Sequence, residues 1–134
     1  MSGLFLKLAP RERILVNGAV IENGDKRSRI SIKSANASVL RLKDAIHPSD
    51  VNTPVSRACY IAQLILSGDV DPVEGKRQLL VSIEGLSQVF DDCDSRRILN
   101  DATFLVASGN AYQAMRRLRT LLPREARLLT VYSQ

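Results

Sequence analysis

The sequence predicts an α+β protein: a small antiparallel sheet of four or five strands over residues 1–43, then a bundle of about four helices over residues 44–134, packed as one domain. Three observations predict it. Apolar and polar residues alternate through the first third of the chain, and the apolar period changes to that of a helix from Thr53 onward. Proline or glycine punctuates most boundaries between the runs.

Leu4, Leu6 and Leu8 alternate until Pro10 breaks the run. Ile14 to Val16 leads into Asn17-Gly18, and Ala19 to Ile21 follows. An Asn-Gly pair between two apolar runs signals a hairpin, because both turn residues must take positive φ. Asn23-Gly24-Asp25 marks a second reversal. Ser28 to Lys33 then alternates, with Ile30 and Ile32 on one face and Arg29, Ser31 and Lys33 on the other. After a polar stretch from Ser34 to Ser38, Leu40 and Leu42 are expected to face in, and Arg41 and Lys43 out. Such a sheet has one wet face.

Thr53-Pro54 reads as a cap followed by a first-turn proline, and the apolar stripe Val55, Ala58, Cys59, Ala62, Ile65 and Leu66 runs to Gly68. A second helix is expected from Asp71-Pro72 with Leu79, Leu80, Ile83, Leu86 and Phe90, weakened by Gly75 and Gly85. The third carries Ile98, Leu99, Ala102, Leu105 and Val106 and stops at Gly109. The fourth carries Ala111, Ala114, Met115, Leu118, Leu121 and Leu122 and ends before Pro123. Arg124 to Gln134 fits a helix extension or a strand equally well. A sheet this short needs a cover for its apolar face, supplied by the helices or by a second copy; self-association as a homodimer or higher oligomer is expected.

The 134 residues are 45% hydrophobic and 25% charged, an ordinary globular balance. No apolar run approaches the ~20 residues of a membrane span, and the start of the chain lacks a secretory pattern. A cytoplasmic protein with no membrane partner is expected. Catalytic material is scarce. His47 has no second histidine to complete a ligand set, Cys59 sits in an apolar helical stripe, and Cys93 has acidic neighbours that disfavour a thiolate. Asp91, Asp92 and Asp94 lack the glycine and closing glutamate of a calcium loop and read as a solvated helix end or an interhelix turn. No catalytic residue, metal ligand or cofactor-binding residue is assigned, and a non-enzymatic protein is expected.

Charge is distributed in blocks. Residues 1–43 hold nine Lys and Arg against three acids, residues 44–95 three against nine, and residues 96–134 seven against two. These complementary blocks suit association between copies, and the basic ones suit an anionic partner. Arg29, Lys33, Arg41 and Lys43 fall on one strand face by alternation, with Lys26 and Arg27 at the adjoining turn. These six are the candidate nucleic-acid-binding residues. Arg116, Arg117 and Arg119 on the fourth helix are secondary candidates. For either group the plain alternative is a solvated surface. Only Phe5 among the aromatics lies in the sheet region, so contact with phosphates and overall shape fits better than base stacking.

Pro10-Arg11-Glu12-Arg13, Asn17-Gly18-Ala19-Val20-Ile21-Glu22-Asn23-Gly24-Asp25, Leu40-Arg41-Leu42-Lys43-Asp44, and Thr53-Pro54 followed by Arg57, Tyr60 and Gln63 form a distinctive order of residues. In these segments the chain resembles the FlbT flagellin regulators of alphaproteobacteria, and the six basic residues above are then the candidate RNA-binding residues. The resemblance implies a post-transcriptional regulator that binds the 5′ untranslated leader of flagellin mRNA and represses translation or promotes decay, working with a companion protein, FlaF. The alternative is a protein–protein adaptor or chaperone-like partner of flagellin or FlaF that affects RNA only indirectly.

Overall fold

The alternating leucines of Leu4–Leu8 form β1, and Arg13–Val16 (β2) and Ala19–Glu22 (β3) form a hairpin with Ile14 opposite Ile21. Ser28–Ile32 makes β4 and Val39–Arg41 makes β5. The computed structural model describes residues 4–17, 19–34, 37 and 39–132. Gly18 of the expected turn, part of the Ser34–Ser38 stretch and the last two residues therefore lie outside the described residues; Asn17, on the near side of the turn, has φ 50°.

The strands form two antiparallel sheets where the sequence suggested one. β1 pairs with β4, and β2 lies between β3 and β5. Asn23 explains the division. Its Nδ2 donates to the Ala9 carbonyl at 2.7 Å and the Lys26 carbonyl at 2.9 Å, while its Oδ1 accepts from Ser28 Oγ at 2.7 Å. This knot turns the chain out of the hairpin plane and delivers β4 to β1. The sheets then stack face to face: Leu6 and Leu8 of one bury against Ile14 and Val39 of the other, with Ile30 and Ile32 packed at the side.

Leu15 and Leu40 alternate to the opposite face of the three-stranded sheet and join the helical core. Helices thus supply the cover that the sequence left open between helices and a second copy. β5 ends at Arg41, and Leu42–Asp44 is a 3-10 turn, where the sequence suggested strand through Lys43. The turn closes with the Ala45 N–H donating to the Leu42 carbonyl, and Arg119 Nη1 donates to the Asp44 carbonyl at 2.6 Å, drawing the chain toward the helices.

Thr53 caps Pro54–Ser67 (α1) through a capping box with Ser56, and Gly68 ends the helix at φ 82°. Asp71 caps Pro72–Ser87 (α2). Asp92, from the acidic cluster, caps Cys93–Ala107 (α3), so that cluster is a helix start. Asn110 caps Ala111–Arg119 (α4). The tail is a separate helix, Leu122–Tyr132 (α5), making five helices among the described residues. Pro123 lacks the N–H that would continue α4, yet suits the first turn of a new helix. α5 docks through buried Glu125, whose Oε2 accepts the Val55 N–H at 2.9 Å at the start of α1. Ala58, Cys59 and Ala62 on α1 are fully buried; their small side chains let α4 approach closely, with Ala114, Met115 and Leu118.

Candidate nucleic-acid interface

Arg41 shares a face of β5 with Val39, so its side chain enters the gap between the two sheets. There Nε lies 2.7 Å from Glu12 Oε2, Nη2 lies 2.8 Å from Glu12 Oε1, and Nη2 also donates to the Lys7 carbonyl at 2.5 Å. Glu12 additionally accepts the Ala9 N–H at 2.9 Å. The Arg41 hydrogen bonds, aided by that of Ala9, hold the Glu12 carboxyl down to about 2. The pair is a clasp between β5 and the segment joining β1 to β2.

Around this clasp opens a cleft of about 630 Å³, lined by Lys7, Leu8, Ala9, Glu12, Arg27, Ser28, Arg29, Arg41 and Lys43. Lys7 and Arg29 stand directly opposite one another across the β1–β4 ladder. Among the described residues, Lys7, Arg27, Arg29 and Lys43 make no salt bridge, and the one acid of the lining is already satisfied by Arg41. Four cations without an ion-pair partner among the described residues therefore line one cleft.

This arrangement corrects the expected common strand face for Arg29, Lys33, Arg41 and Lys43. Arg41 points into the intersheet gap, with its side chain 12% exposed, because it follows the phase of Val39. Arg29 belongs to the other sheet, and Lys43 sits on the 3-10 turn. Lys33 lies just beyond β4, and Lys26 lies in the turn before it; both are exposed and neither lines the cleft. Lys7 went unnoticed in the sequence, although it is the outward position between Leu6 and Leu8. Its neighbour across the ladder depended on a long-range pairing that local alternation does not encode.

Arg41 and Lys43 also line a second cleft, of about 340 Å³, with Asp44, Tyr112, Arg116, Arg119 and Thr120. The two basic segments of the chain thus meet at these two residues. The Arg116 guanidinium lies 6.0 Å from the centre of the Tyr112 ring, and the Tyr112 hydroxyl donates to Asp44 Oδ2 at 2.9 Å. Burial, reinforced by Asp44, pushes the Tyr112 hydroxyl above its usual range. Arg117 turns away to pair with Asp101 at 2.7 Å. Arg116 and Arg119 of the secondary group line this cleft, but Arg119 is paired with Asp44, so Arg116 is the one that extends the cationic surface.

The remaining reactive residues lie elsewhere. His47 bonds Ser49 within a local turn. Cys59 is buried in the core, which pushes its thiol up to about 12. Cys93 is exposed at the start of α3. Among the described residues, no three His, Cys, Asp or Glu cluster as a metal site would require. No helix among the described residues is long and apolar enough to cross a membrane.

Fold and clefts together define an α+β protein with an open, cation-lined surface site. Residues 4–129 match the family described as flagellar protein FlbT, and the chain belongs to that family. A protein of Allorhizobium ampelinum is 35% identical over 133 residues, covering 96% of this chain and 85% of its own length. One of Rhodopseudomonas palustris is 33% identical, covering 95% of this chain and 98% of its own length. One of Brucella anthropi is 27% identical over 96% of this chain and 83% of its own length. All three bear the name "Probable flagellum biosynthesis repressor protein FlbT". No solved structure matches the chain.

Proposed function

We propose that this protein regulates flagellin synthesis in the cytoplasm by binding the 5′ untranslated leader of flagellin mRNA in the cleft around Arg41, repressing translation or promoting decay of the message. The observation that carries this is the Lys7–Arg29 pair. Like charges directly opposite across a ladder destabilise a sheet, and a polyanion laid between them turns that cost into binding energy. Arg27 and Lys43 extend the same cationic wall, and Arg116 continues it toward the helices. No aromatic side chain lines the cleft, so its contacts go to phosphates, which position RNA and read sequence weakly. The relatives named as repressors support the regulatory half of this reading.

An adaptor reading has its own support. Ile46, Leu122, Ala126 and Leu129 line a largely apolar groove of about 320 Å³ between α5 and the segment before α1, suited to a segment of flagellin or FlaF. Gel-shift titration of a flagellin leader with the purified protein, alone and with FlaF, separates the two. Direct binding predicts retardation by the protein alone, weakening steeply with salt. Retardation only in the presence of FlaF would overturn it in favour of the adaptor.

A further inference from the structure

Among the described strands, β3 is the one whose residues are all exposed. β3 borders β2 on one side, and no described strand lies on the other. All four of its residues are exposed, Val20 to 60% and Ile21 to 44%. Edge strands are ordinarily guarded by lysine, proline or a bulge. Here the sequence is Ala-Val-Ile-Glu, and the Glu22 carboxylate is already held by Arg13 at 2.9 Å and Arg11 at 3.4 Å.

The hairpin register determines what this edge offers. Val16 lies opposite Ala19 across the turn and Ile14 opposite Ile21, and the Asn23 N–H donates to the Glu12 carbonyl one step further. Ala19 and Ile21 therefore spend their backbone groups on β2, and the Asn23 N–H continues the same phase at Glu12. The alternation of an antiparallel ladder aims those of Val20 and Glu22 outward. These two positions flank Ile21 symmetrically. A second β3 laid antiparallel with Ile21 opposite Ile21 joins Val20 of each copy to Glu22 of the other, so all four outward groups on each strand are used. Ile21 shares its face with fully buried Ile14, so the same register places an apolar row across the junction. A pairing centred on Val20 would use only that residue's groups and leave those of Glu22 unmet.

We propose that the protein forms a two-fold dimer through β3, joining the two three-stranded sheets into one of six strands, with a second copy of this chain as the occupant of the edge. The reading is independent of the RNA proposal, and its consequence is a particle that presents two cationic clefts.

Sedimentation equilibrium of the full chain is expected to show twice the chain's mass. Ile21→Lys places a charge on the two-fold axis, and Val20→Pro removes an outward N–H that the hairpin does not use. Each is expected to weaken the dimer at least about tenfold while leaving the circular dichroism spectrum intact. A crosslink tests register. Non-hydrogen-bonded partners have Cα atoms about 4.5 Å apart, within disulfide reach. Ile21→Cys in a Cys93→Ser background should therefore oxidise to a covalent dimer, whereas Ala19→Cys should not. A monomeric parent chain, a dimer indifferent to both edge variants, or crosslinking through Ala19→Cys in place of Ile21→Cys overturns the proposal.

Discussion

Arg41 and Glu12, 29 residues apart in sequence, grip each other by two hydrogen bonds of 2.7 and 2.8 Å in the gap between the sheets, with side chains only 12% and 6% exposed. Removing one partner leaves the other's charge with little water to solvate it. Arg41→Met or Glu12→Gln is expected to lower unfolding stability by about 3 kcal/mol. The double variant Glu12→Leu/Arg41→Met should recover much of the loss. Urea titrations check this, and single variants within about 0.5 kcal/mol of the parent, the range of ordinary surface changes, would refute the clasp.

The same pair makes stability depend on acid. The Arg41 hydrogen bonds hold the folded-state Glu12 carboxyl at about 2, against 4.5 for a free side chain. A depressed carboxyl stabilises fully above its unfolded value and loses that contribution as pH falls through the folded one. Unfolding free energy is therefore expected to decline between pH 4.5 and 2. In Glu12→Gln this component of the decline should vanish. Equal slopes in the two proteins would count against the assignment.

Local patterns in the chain exposed the helix starts at Thr53 and Asp71, the end of α1 at Gly68, and the alternation of Ser28 to Ile32. These are signals written in neighbouring residues. The partition into two sheets was invisible, since it depends on Asn23 bonding to Ala9, fourteen positions away. Arg41 was misplaced for the same reason. Alternation located it opposite Leu40 and Leu42, but not on a surface that another sheet covers. The cleft inherits this limit: Arg27, Arg29 and Lys43 were identifiable as basic residues, while Lys7 became their neighbour only through the β1–β4 register.

The two glycines of α2 have opposite roles. A Cβ on Gly75 would lie 2.7 Å from Ile65 Cγ1 and 3.0 Å from Val70 Cγ1, whereas one on Gly85 meets nothing within 4 Å. Gly75 permits the close approach of α2 to the end of α1; Gly85 carries only the entropic cost of a flexible residue. Gly75→Ala should therefore destabilise by about 1–3 kcal/mol through overpacking. Gly85→Ala should stabilise by roughly 0.5–1 kcal/mol through helix propensity. Thermal melts of the two variants should move in opposite directions from the parent.

The cleft makes the sharpest demand on RNA binding. Arg41 is committed to Glu12, so the side chains available to phosphates are Lys7, Arg27, Arg29 and Lys43. Four contacts to single-stranded RNA predict a slope of log affinity against log salt of about −3, from ~0.7 per phosphate neutralised. Replacing all four with alanine should flatten that slope toward zero and weaken binding to every leader sequence by a similar factor. The variant should keep its fold, because none of the four side chains forms a salt bridge among the described residues or belongs to the buried core. Lys26 and Lys33 provide the internal control. They carry the same charge nearby but lie outside the cleft lining, so Lys26→Ala/Lys33→Ala should change affinity far less. Arg116→Ala should fall between, as it extends the surface from the second cleft. Equal losses from the cleft variant and the control pair would mean that RNA responds only to overall charge and that the cleft holds no site.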